Sequence, residues 1–410
     1  MRHKINIGMV LDGHYPADIR VRKEAESLAE HFNVFVLCVN NTNQPEFEII
    51  NKVSVFREIS YNSFSHKGFI DIVLASRFLH PLFQKKLPEF VKNQHIDVLH
   101  VHDLPLAKTV VQIADKHKIK KVIDLHENYP EALKTWFSWR KSPLIRIKNR
   151  LFFNYKRWSK YEAKILPQFD TIIAVVEEMK DYLIEKNKRL ASKIIVVTNT
   201  EKKSFASHYD SKTSEVFSDF KNHFIVTYIG GIGPHRGLQT AIRGVREIKK
   251  EIPNILLVMV GPTHPDVLEH LKHLVKIEEI ENDVVFLGRQ DFSVIPKMMQ
   301  SSQVNIIPHE KNAHTDHTIP HKLYQILMSG QPLLVSDVKP LKRVVNNLEI
   351  GWIFEAGNPV DFAKKVRSIH QETDTAVRKA SQGKKACLEG NLNWEHTAKT
   401  LISFYKKITT

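Results

Sequence analysis

Short apolar runs alternate along the whole chain with longer segments in which apolar positions recur every three or four residues. The short runs predict strands, and the periodic segments predict helices. In the first half, we predict a helix over residues 17–31 and strands over residues 5–11, 34–39, 98–103, 122–127, 171–176 and 194–198. In the second half, we predict closing helices over 361–371 and 394–408 and strands over 224–228, 255–260, 284–287, 304–307 and 332–336. This alternation is typical of parallel sheets covered by helices on both faces, so it predicts an α/β fold.

A polar segment divides the two alternating series. Residues 200–222 contain few large apolar side chains, which is typical of a linker. We therefore predict a first domain over 1–205 and a second over 222–390, each a doubly wound Rossmann-like sheet, with a helix over 394–410 packing back on the first. Ligands of such sheets bind beyond the carboxyl ends of the strands, so we expect the two domains to face a ligand-binding cleft.

Composition excludes several classes of protein. The 410 residues exceed one ordinary core, and 42% of them are hydrophobic, as in a packed globular protein. No apolar run approaches the roughly 20 residues of a membrane span, and the N-terminal apolar stretch is too short for a signal peptide. We therefore predict a cytoplasmic protein in which Cys38 and Cys387 are free, buried thiols. The net charge of +15 admits nucleic acid, anionic membrane and phosphorylated small molecules as partners.

A glycine turn in the second half gives the clearest sign of a ligand. The strand residues Val-Thr-Tyr-Ile, at 226–229, are followed by Gly-Gly-Ile-Gly-Pro-His-Arg-Gly and an apolar-periodic helix. Glycines let the backbone approach a phosphate, the helix N-terminus supplies N–H groups, and Arg236 adds a positive charge. Gly231 and Gly233 begin the dinucleotide pattern G-x-G-x-x-G, but Arg236 occupies the third glycine position. The turn therefore predicts a phosphate ligand other than a nicotinamide dinucleotide.

A second element of the same kind follows about eighty residues later in the chain. Its sequence predicts a loop, a helix that starts within Thr318–Lys322, and a strand. Pro320 suits the first helical turn and Gly330 suits the end of the helix. Such a helix start directs N–H groups and the lysine at a ligand, and Gln325, one turn further, is placed to hydrogen-bond a sugar hydroxyl.

A series of motifs extends this pattern over nearly the whole chain. In chain order they are D-I-R-V-R-K-E-A-E-S-L from Asp18, H-V-H-D from His100, D-L-H-E-N-Y-P from Asp124, the turn from Tyr228 to Gly237, V-G-P from Val260, F-L-G from Phe286 and K-L-Y-Q-I-L-M-S-G-Q-P-L-L-V-S-D from Lys322. Each motif alone is weak, but the ordered series resembles the retaining glycosyltransferases of family 4. The resemblance implies the GT-B fold and transfer of a sugar from a nucleotide-diphosphate donor to a hydroxyl group of an acceptor.

The resemblance implies that the second domain binds the donor. Arg236 would bind the diphosphate, the backbone near Thr318 and Ile319 would approach the phosphates or the sugar, and Gln325 would contact the ribose. The predicted donor-binding residues are Gly231, Gly233, Arg236, Gly261, Arg289, His317, Thr318, Ile319, Lys322 and Gln325, with Gly261 and Arg289 beside the base. Positive charge and N–H donors stabilise a leaving diphosphate, so we predict no metal and no cofactor besides the nucleotide sugar.

The first domain would supply the residues around the reacting sugar. The resemblance places His126 against that sugar, and we predict His126, Glu127 and Asp103 as catalytic residues. We predict His14, Arg20 and His102 on the acceptor side. His100 shares a strand face with His102, and its role is open between the site and a hydrogen-bonded core position.

Three positions depart from the family pattern. His317 and Gln325 stand where the family usually has two glutamates eight positions apart, and Gly231 stands where it often has an arginine. Lys322 or a histidine is then left to replace the missing cation. His309, His314, His317 and His321 also cluster, and His317 and His321 have the i, i+4 spacing of metal ligands. No neighbouring cysteine or H-E-x-x-H motif supports a metal, so we interpret them as polar residues of the donor site.

Residues 134–164 carry an excess of positive charge. They contain ten lysines and arginines, one acid (Glu162) and three of the five tryptophans. We predict that the apolar stripe from Leu144 to Trp158 packs on the domain's own sheet, and that the loop over 136–141 contacts an anionic membrane surface. Nucleic acid is not predicted as a partner, because no recognition motif accompanies the charge.

The sequence thus predicts a retaining glycosyltransferase of cell-surface polysaccharide or glycoconjugate assembly. Its acceptor would be a glycan or a lipid-linked molecule, and the enzyme would be cytoplasmic or peripheral on the inner face of the plasma membrane. Two alternatives stay open. A sugar-nucleotide epimerase of the same fold would need carboxylates placed for proton transfer, of which Glu127 is the obvious candidate. A binding module without turnover would keep donor affinity alone.

Overall fold

The computed structural model describes residues 4–40, 44–136, 142–209 and 216–408, and it has the predicted α/β fold. The chain divides into two compact units, Met1–Thr198 with Thr397–Thr410, and Asn199–His396. The division falls inside the last helix. Residues 199–209, which the sequence analysis shared between the first domain and a linker, belong to the second unit. Phe205 and Tyr209 are buried there.

The first unit contains an eight-stranded sheet. Its strands lie in the order β3-β4-β2-β1-β5-β6-β7-β8, and all neighbours are parallel except β3 and β4. The strands are β1 (Asn6–Val10), β2 (Asn33–Val39), β3 (Phe47–Ile50), β4 (Val53–Ile59), β5 (Val98–His102), β6 (Lys120–Leu125), β7 (Thr171–Ala174) and β8 (Ile194–Val196). Strands β3 and β4 were not predicted, because their alternating polar residues differ from the continuous apolar runs of buried parallel strands.

Helices connect the strands of this sheet and pack against it. They are α1 (Ile19–Ala29), α2 (Phe64–Arg77), α3 (Pro81–Asn93), α4 (Ala107–His117), α5 (Tyr129–Trp136), α6 (Pro143–Phe152), α7 (Tyr155–Ile165) and α8 (Glu177–Lys186). The Asp18 carboxylate accepts hydrogen bonds from the N–H groups of Arg20 and Val21, so it caps α1. This cap fixes the start of α1 and therefore the face on which Arg20 lies.

The second unit contains a six-stranded parallel sheet in the order β11-β10-β9-β12-β13-β14. Its strands are β9 (Phe224–Ile229), β10 (Ile255–Val260), β11 (Val284–Gly288), β12 (Val304–Ile307), β13 (Leu333–Ser336) and β14 (Trp352–Phe354). The helices are α9 (Leu238–Ile248), α10 (Pro265–Ile277), α11 (Ile295–Ser301), α12 (Lys322–Ser329), α13 (Lys339–Leu348), α14 (Pro359–Gln371) and α15 (Thr373–Leu388). The last helix, α16 (Trp394–Ile408), begins in this unit and belongs to the first unit from Thr397 onward. Strand β14 was not predicted, because its three residues are too few to form a recognisable run.

Helix α12 differs from its prediction at one end. It begins at Lys322, so Thr318, Ile319 and Pro320 form an extended approach to the helix rather than its first turn. Gly330 ends the helix in the left-handed conformation, with φ of 70°, as predicted.

Two further expectations concern the core. Cys38 and Cys387 are free and buried, which confirms the thiol prediction. Across the part of the chain that the structure describes, every helix falls short of the length and apolar character that a membrane crossing demands.

Candidate active site

The first unit gathers a group of buried charged side chains at the carboxyl ends of β5 and β6. The Arg20 guanidinium, which is 4% exposed, donates to both carboxylate oxygens of Asp124, with Nη2–Oδ1 of 2.6 Å and Nε–Oδ2 of 2.8 Å. It also donates to the Val197 carbonyl and pairs with Glu24 at 3.0 Å. Burial alone would raise the pKa of Asp124, but Arg20 and His126 hold that pKa well below its usual range. Arg20, predicted on the acceptor side, therefore reaches the site through Asp124.

His126 lies between two carboxylates at the edge of this group. Its Nε2 is 2.9 Å from Asp124 Oδ2, and its Nδ1 is 3.4 Å from Asp103 Oδ2. Burial alone would lower the pKa of His126, but Asp103 and Asp124 raise it to about 10. His126 is consequently an imidazolium at neutral pH, and both of its ring nitrogens face carboxylates. A sugar hydroxyl that binds this ring has to compete with one of them.

Asp103 is the carboxylate of this group that faces solvent. Its side chain is 34% exposed, and its Oδ1 accepts a hydrogen bond from the His126 backbone N–H. Burial raises the pKa of Asp103, His126 lowers it, and the Glu127 charge raises it, with a net result of about 6. Asp103 has φ of 67°, which is rare for a residue other than glycine and costs about 1–3 kcal/mol. Such strain concentrates at functional sites and supports the prediction that Asp103 acts there.

A second layer of buried polar residues lies behind Asp124. His100 and His102 stack with 4.5 Å between ring centroids, and the Tyr405 hydroxyl lies 2.8 Å from His100 Nδ1. Glu24 is fully buried 3.7 Å from His100 Nε2, and burial, followed by the Asp124 charge, raises the pKa of Glu24 to about 8. His100 is therefore a core residue bonded to Tyr405, one of the two roles that the sequence left open.

This group also resembles a set of metal ligands. Among the described residues, Glu24, His100, His102 and Asp124 are the one group of three or more ligand-type side chains whose ligand atoms all lie within 4.8 Å of one another. Arg20, however, already pairs with both carboxylates of that group. A divalent cation would have to enter beside a buried guanidinium, so the balance of charge favours the ion pairs over a metal.

Glu24 and His126 make the stability of the protein depend on pH. A folded-state pKa above the unfolded value gives stabilisation that is complete below the unfolded pKa and lost as the pH rises through the folded pKa. We therefore expect stability to fall from pH 4.5 to about 8 through Glu24, and from pH 6.5 to about 10 through His126. The midpoint of urea unfolding, followed across this range, measures the fall. The Glu24→Gln variant cannot ionise at this position, so it should lose the part of the fall in stability between pH 4.5 and about 8. An unchanged pH profile of stability in that variant would contradict the assignment.

In the second unit, backbone segments converge closely at the carboxyl ends of β9, β10 and β12. A Cβ added to Gly261 would stand 2.0 Å from the Gly230 carbonyl oxygen, and one added to Gly237 would stand 1.9 Å from the Pro308 carbonyl oxygen. Both glycines have positive φ, at 141° and 65°. Side chains are thus excluded where the glycine turn meets the N-terminus of α9, which has no side-chain cap.

Arg236 lies at the end of this turn, held by a histidine. Its Nη1 is 2.9 Å from His309 Nε2. Burial and the Arg236 charge hold the pKa of His309 well below its usual range, so the neutral ring accepts a hydrogen bond from the guanidinium. Burial likewise lowers the pKa of the neighbouring His235 to about 2. The histidines near the turn therefore orient Arg236 without adding charge.

Lys322 supplies the second cation of this region. Its Nζ donates to the Ile229 carbonyl at 2.9 Å and lies 4.0 Å from the centre of the Tyr228 ring. Gly230 has φ of 138°, a conformation that favours glycine, and a Cβ there would stand 2.6 Å from this nitrogen. No carboxylate of the described residues pairs with Lys322, and burial, followed by the Arg236 charge, holds its pKa well below its usual range. A buried amine without an anion suits an anionic ligand.

Gln325 has a partner that the sequence analysis did not find. Its Nε2 donates to Glu201 Oε2 at 2.8 Å, and both residues are buried. Glu201 lies in the segment that the sequence analysis interpreted as domain end and linker. Glu201 lies among small and charged residues and gave no periodic signal in the sequence. Only the folded chain shows that its carboxylate lies beside position 325, where the family usually has a glutamate.

The other predicted residues lie at different places. In the second unit, Gly231 and Gly233 belong to the glycine turn, His317 and Ile319 are buried, and Thr318 is half-buried in the approach to α12. Arg289 is exposed after Gly288, and within the described chain no hydrogen bond or ion pair holds it. In the first unit, His14 Nδ1 is 3.3 Å from the Val39 carbonyl oxygen, His102 Nδ1 is 3.3 Å from Asp124 Oδ2, and Glu127 is half-buried beside His126.

The histidine pair that suggested a metal is not on one helix. His317 ends a short 3₁₀ helix and His321 precedes α12, so the i, i+4 spacing does not place their rings on a common helical face.

Comparison with known families decides the class of protein. The family model described as Glycosyltransferase Family 4 matches residues 18–200, and the model described as Glycosyl transferases group 1 matches residues 211–386. The chain belongs to the group 1 glycosyltransferases. The predicted family and the prediction of an enzyme are therefore confirmed.

Individual relatives of this glycosyltransferase are distant. It is 19% identical over 354 residues to the putative glycosyltransferase YtcC of Bacillus subtilis, which covers 82% of this chain and 85% of the relative. It is 22% identical over 390 residues to the glycosyltransferase MJ1607 of Methanocaldococcus jannaschii, covering 93% of this chain and 92% of the relative.

Solved structures confirm the GT-B fold of the glycosyltransferase. The sucrose-phosphate synthase of Thermosynechococcus elongatus superposes with a TM-score of 0.77 at 16% identity over 99% of both chains. Anabaena HepE in complex with UDP and glucose superposes with a TM-score of 0.72 at 14% identity over 99% of this chain and 100% of that chain.

Proposed function

We propose that the enzyme transfers a sugar, with retention of configuration, from a nucleoside-diphosphate sugar to a hydroxyl group of a glycan or lipid-linked acceptor. The observation that carries the proposal is the pair of cations, Arg236 and Lys322, beside the uncapped N-terminus of α9. Neither cation has a carboxylate partner among the described residues. The ligands of the HepE structures support a uridine-diphosphate sugar as the donor.

The second unit would bind the donor without a metal. In this arrangement Arg236 and Lys322 contact the diphosphate, and N–H groups of the glycine turn and of residues Thr318 and Ile319 complete the site. Fixed positive charge stabilises the negative charge that develops on the leaving diphosphate, which is the contribution that a metal ion would otherwise make. Gly261 and Arg289, at the ends of β10 and β11, are proposed to lie beside the base.

Gln325 and Glu201 are proposed to bind the ribose together. The Gln325 amide already donates to Glu201, and its carbonyl oxygen is an acceptor for a sugar hydroxyl. Glu201 then supplies the carboxylate that is absent at position 325. A charged acceptor makes a stronger hydrogen bond to a hydroxyl than an amide does, so the pair compensates for the substitution.

The first unit would orient the reacting sugar and the acceptor. Asp103 and His126 present a carboxylate and an imidazolium at adjacent strand ends, and Glu127 follows directly. These groups are proposed to hydrogen-bond the sugar, while His14 and His102 lie on the acceptor side. Arg20 is proposed to act through Asp124, because its nitrogens are bonded within the core.

The proposed place of the enzyme is the cytoplasmic side of the plasma membrane, in the assembly of a cell-surface polysaccharide or glycoconjugate. The excess of positive charge over residues 134–164 supports this location, because the cytoplasmic leaflet is anionic.

A thermal-shift panel tests the donor site. We expect one nucleoside diphosphate among UDP, GDP and ADP, or its sugar conjugates, to raise the melting temperature without added metal. Arg236→Ala should abolish that shift, because a hydrogen bond to a charged group contributes about 1.5–3 kcal/mol. Arg243→Ala is the matched control, since Arg243 is an exposed arginine of α9 that pairs with Glu278. A shift that survives in Arg236→Ala would place the nucleotide elsewhere.

A further inference from the structure

Helix α6 exposes apolar side chains that the sequence analysis assigned to the core. Ile147 is 57% exposed and Leu151 is 60% exposed, and their spacing of four residues places them on one face of the helix. Trp158, at the other end of the predicted stripe, is fully buried. The prediction of core packing is therefore correct for Trp158 and wrong for Ile147 and Leu151. The predicted membrane loop, with Trp139, lies outside the described residues.

The exposed face of α6 is strongly basic. Arg146 and Arg150 are exposed next to Ile147 and Leu151, and within the described part of the chain neither arginine pairs with a carboxylate. Between residues 142 and 164 the sequence has seven lysines and arginines and one acid, Glu162. That acid is buried, so it does not neutralise the surface.

The neighbouring helix α2 adds apolar surface of the same kind. It packs against α6, and it exposes Phe64 at 94% and Phe69 at 62%. An isolated exposed apolar residue is common, but four large ones on two adjoining helices are not explained by chance exposure. Trp136, which ends the preceding helix α5, is 36% exposed.

The positive charge of this surface distinguishes between three kinds of partner: a second copy of this chain, a nucleic acid and an anionic bilayer. A second copy of this chain would bring two arrays of arginines together, and the like charges would repel. A nucleic acid would bind the arginines and leave Ile147 and Leu151 in water. An anionic bilayer satisfies both features, because its headgroups attract arginine and its acyl boundary accepts isoleucine and leucine.

We propose that the basic apolar face of α6, formed by Arg146, Ile147, Arg150 and Leu151, binds the surface of an anionic lipid bilayer. Ile147 and Leu151 enter the boundary between headgroups and acyl chains, and the two arginines contact lipid phosphates. The phenylalanines of α2 extend the contact. This inference rests on the proposed location of the enzyme at a membrane, and it names the surface that reaches the lipid.

Vesicle flotation of the full chain tests the proposal. Vesicles of phosphatidylcholine mixed with phosphatidylglycerol are compared with phosphatidylcholine alone, at low and high salt. We expect the wild-type chain to float with the anionic vesicles and to be released by salt. The Ile147→Ser/Leu151→Ser variant should lose about tenfold or more in partitioning, as the area of two apolar side chains requires. Arg146→Gln/Arg150→Gln should lose roughly fivefold for each charge removed.

Matched controls separate the surface from general effects. Ile277→Ser changes a residue of the second unit that is 61% exposed, and this variant should float as the wild type does. Lys160→Gln/Lys164→Gln removes two positive charges of the segment 142–164 that lie outside α6. This lysine variant should lose less of its partitioning to anionic vesicles than the arginine variant does. All these positions are at the surface, so the variants should melt as the wild type does. Equal flotation of the Ile147→Ser/Leu151→Ser variant would overturn the proposal.

A second readout keeps the test independent of the donor site. The Leu151→Trp variant should show a blue-shifted tryptophan emission with anionic vesicles if this face enters the bilayer, and no shift would contradict insertion. The nucleotide thermal shift, measured on the same variants, should stay unchanged. Variants that lose flotation but keep the nucleotide thermal shift support the proposal that this face of α6 binds the membrane. A wild-type chain that binds nucleotide but does not float overturns this inference and leaves the proposed donor site untouched.

Discussion

Replacing Asp124 with asparagine is expected to lower the free energy of unfolding by about 3–5 kcal/mol, because one partner of a buried ion pair is lost while the other stays. The Arg20 guanidinium would remain buried and directed at a neutral amide that cannot balance its charge. His126 would lose one of the two carboxylates that keep it protonated, so its pKa should fall. Urea unfolding, followed by circular dichroism at neutral pH, measures the stability.

Two companion variants make the result specific. Asp115→Asn removes an exposed carboxylate of the same unit that pairs with Lys121, and such surface pairs contribute only about 0–1 kcal/mol. Arg20→Leu/Asp124→Leu removes both charges, so it should be more stable than Asp124→Asn alone. A small loss in Asp124→Asn, comparable to that in Asp115→Asn, would show that the pair does not hold this unit together.

Turnover should also fall in Asp124→Asn, and this effect can be measured separately from the loss of stability. At a temperature where the variant is still folded, the loss of His126 charge should lower the catalytic rate and move its pH dependence to lower pH, since the imidazolium would titrate earlier. Donor affinity should stay the same, because Asp124 belongs to the first unit, whereas Arg236 and Lys322, the proposed diphosphate-binding residues, belong to the second. A variant that keeps the wild-type pH profile would exclude a role of the imidazolium in the reaction.

Binding of the donor diphosphate is expected to take up a proton from solution. Burial, followed by the Arg236 charge, holds the pKa of Lys322 well below its usual range in the ligand-free chain. A diphosphate beside its Nζ would raise the pKa of the amine, so binding should be linked to proton uptake at pH values between the pKa of the free amine and that of the bound amine. Calorimetric titration in buffers of different ionisation enthalpy, slightly above neutral pH, measures this uptake directly.

Lys322→Met tests the source of that proton. The variant should lose the uptake and bind the diphosphate roughly 10- to 100-fold more weakly, in line with about 1.5–3 kcal/mol for a charge-assisted hydrogen bond. Lys342→Met, at an exposed lysine of α13, should change neither quantity. Proton uptake that persists in Lys322→Met would assign it to one of the neutral histidines near Arg236, and no uptake in the wild type would mean that Lys322 is already charged.

Periodicity predicted the central parallel strands of both sheets, because buried strands appear as continuous apolar runs. It failed at β3 and β4, where polar residues interrupt the apolar run, and at β14, which has three residues. The glycine turn was predictable because positive φ and close backbone approach leave glycine as the fitting residue. The motif series then placed Arg236, His126 and Lys322 at strand ends or helix starts, where they lie.

The contacts that give these residues their properties were not predictable. Arg20 and Asp124 are 104 positions apart, and Gln325 and Glu201 are 124 apart, so no local pattern connects them. One signal was present in α1, where Arg20, Glu24 and the buried Leu28 follow one another at intervals of four residues and therefore lie on one face of the helix. Charged residues on the apolar face of a helix indicate a buried ion pair rather than a solvated surface.

The position of Tyr405 has a consequence for the synthesis of the chain. This tyrosine belongs to the last helix, yet it contacts His100 and Phe32 in the core of the first unit. The second unit, which ends at His396, has all of its residues before that helix is complete. The core of the first unit is therefore complete only after every residue of the second unit has been synthesised. A truncation of a dozen carboxyl-terminal residues, roughly three helical turns, would leave that core open permanently.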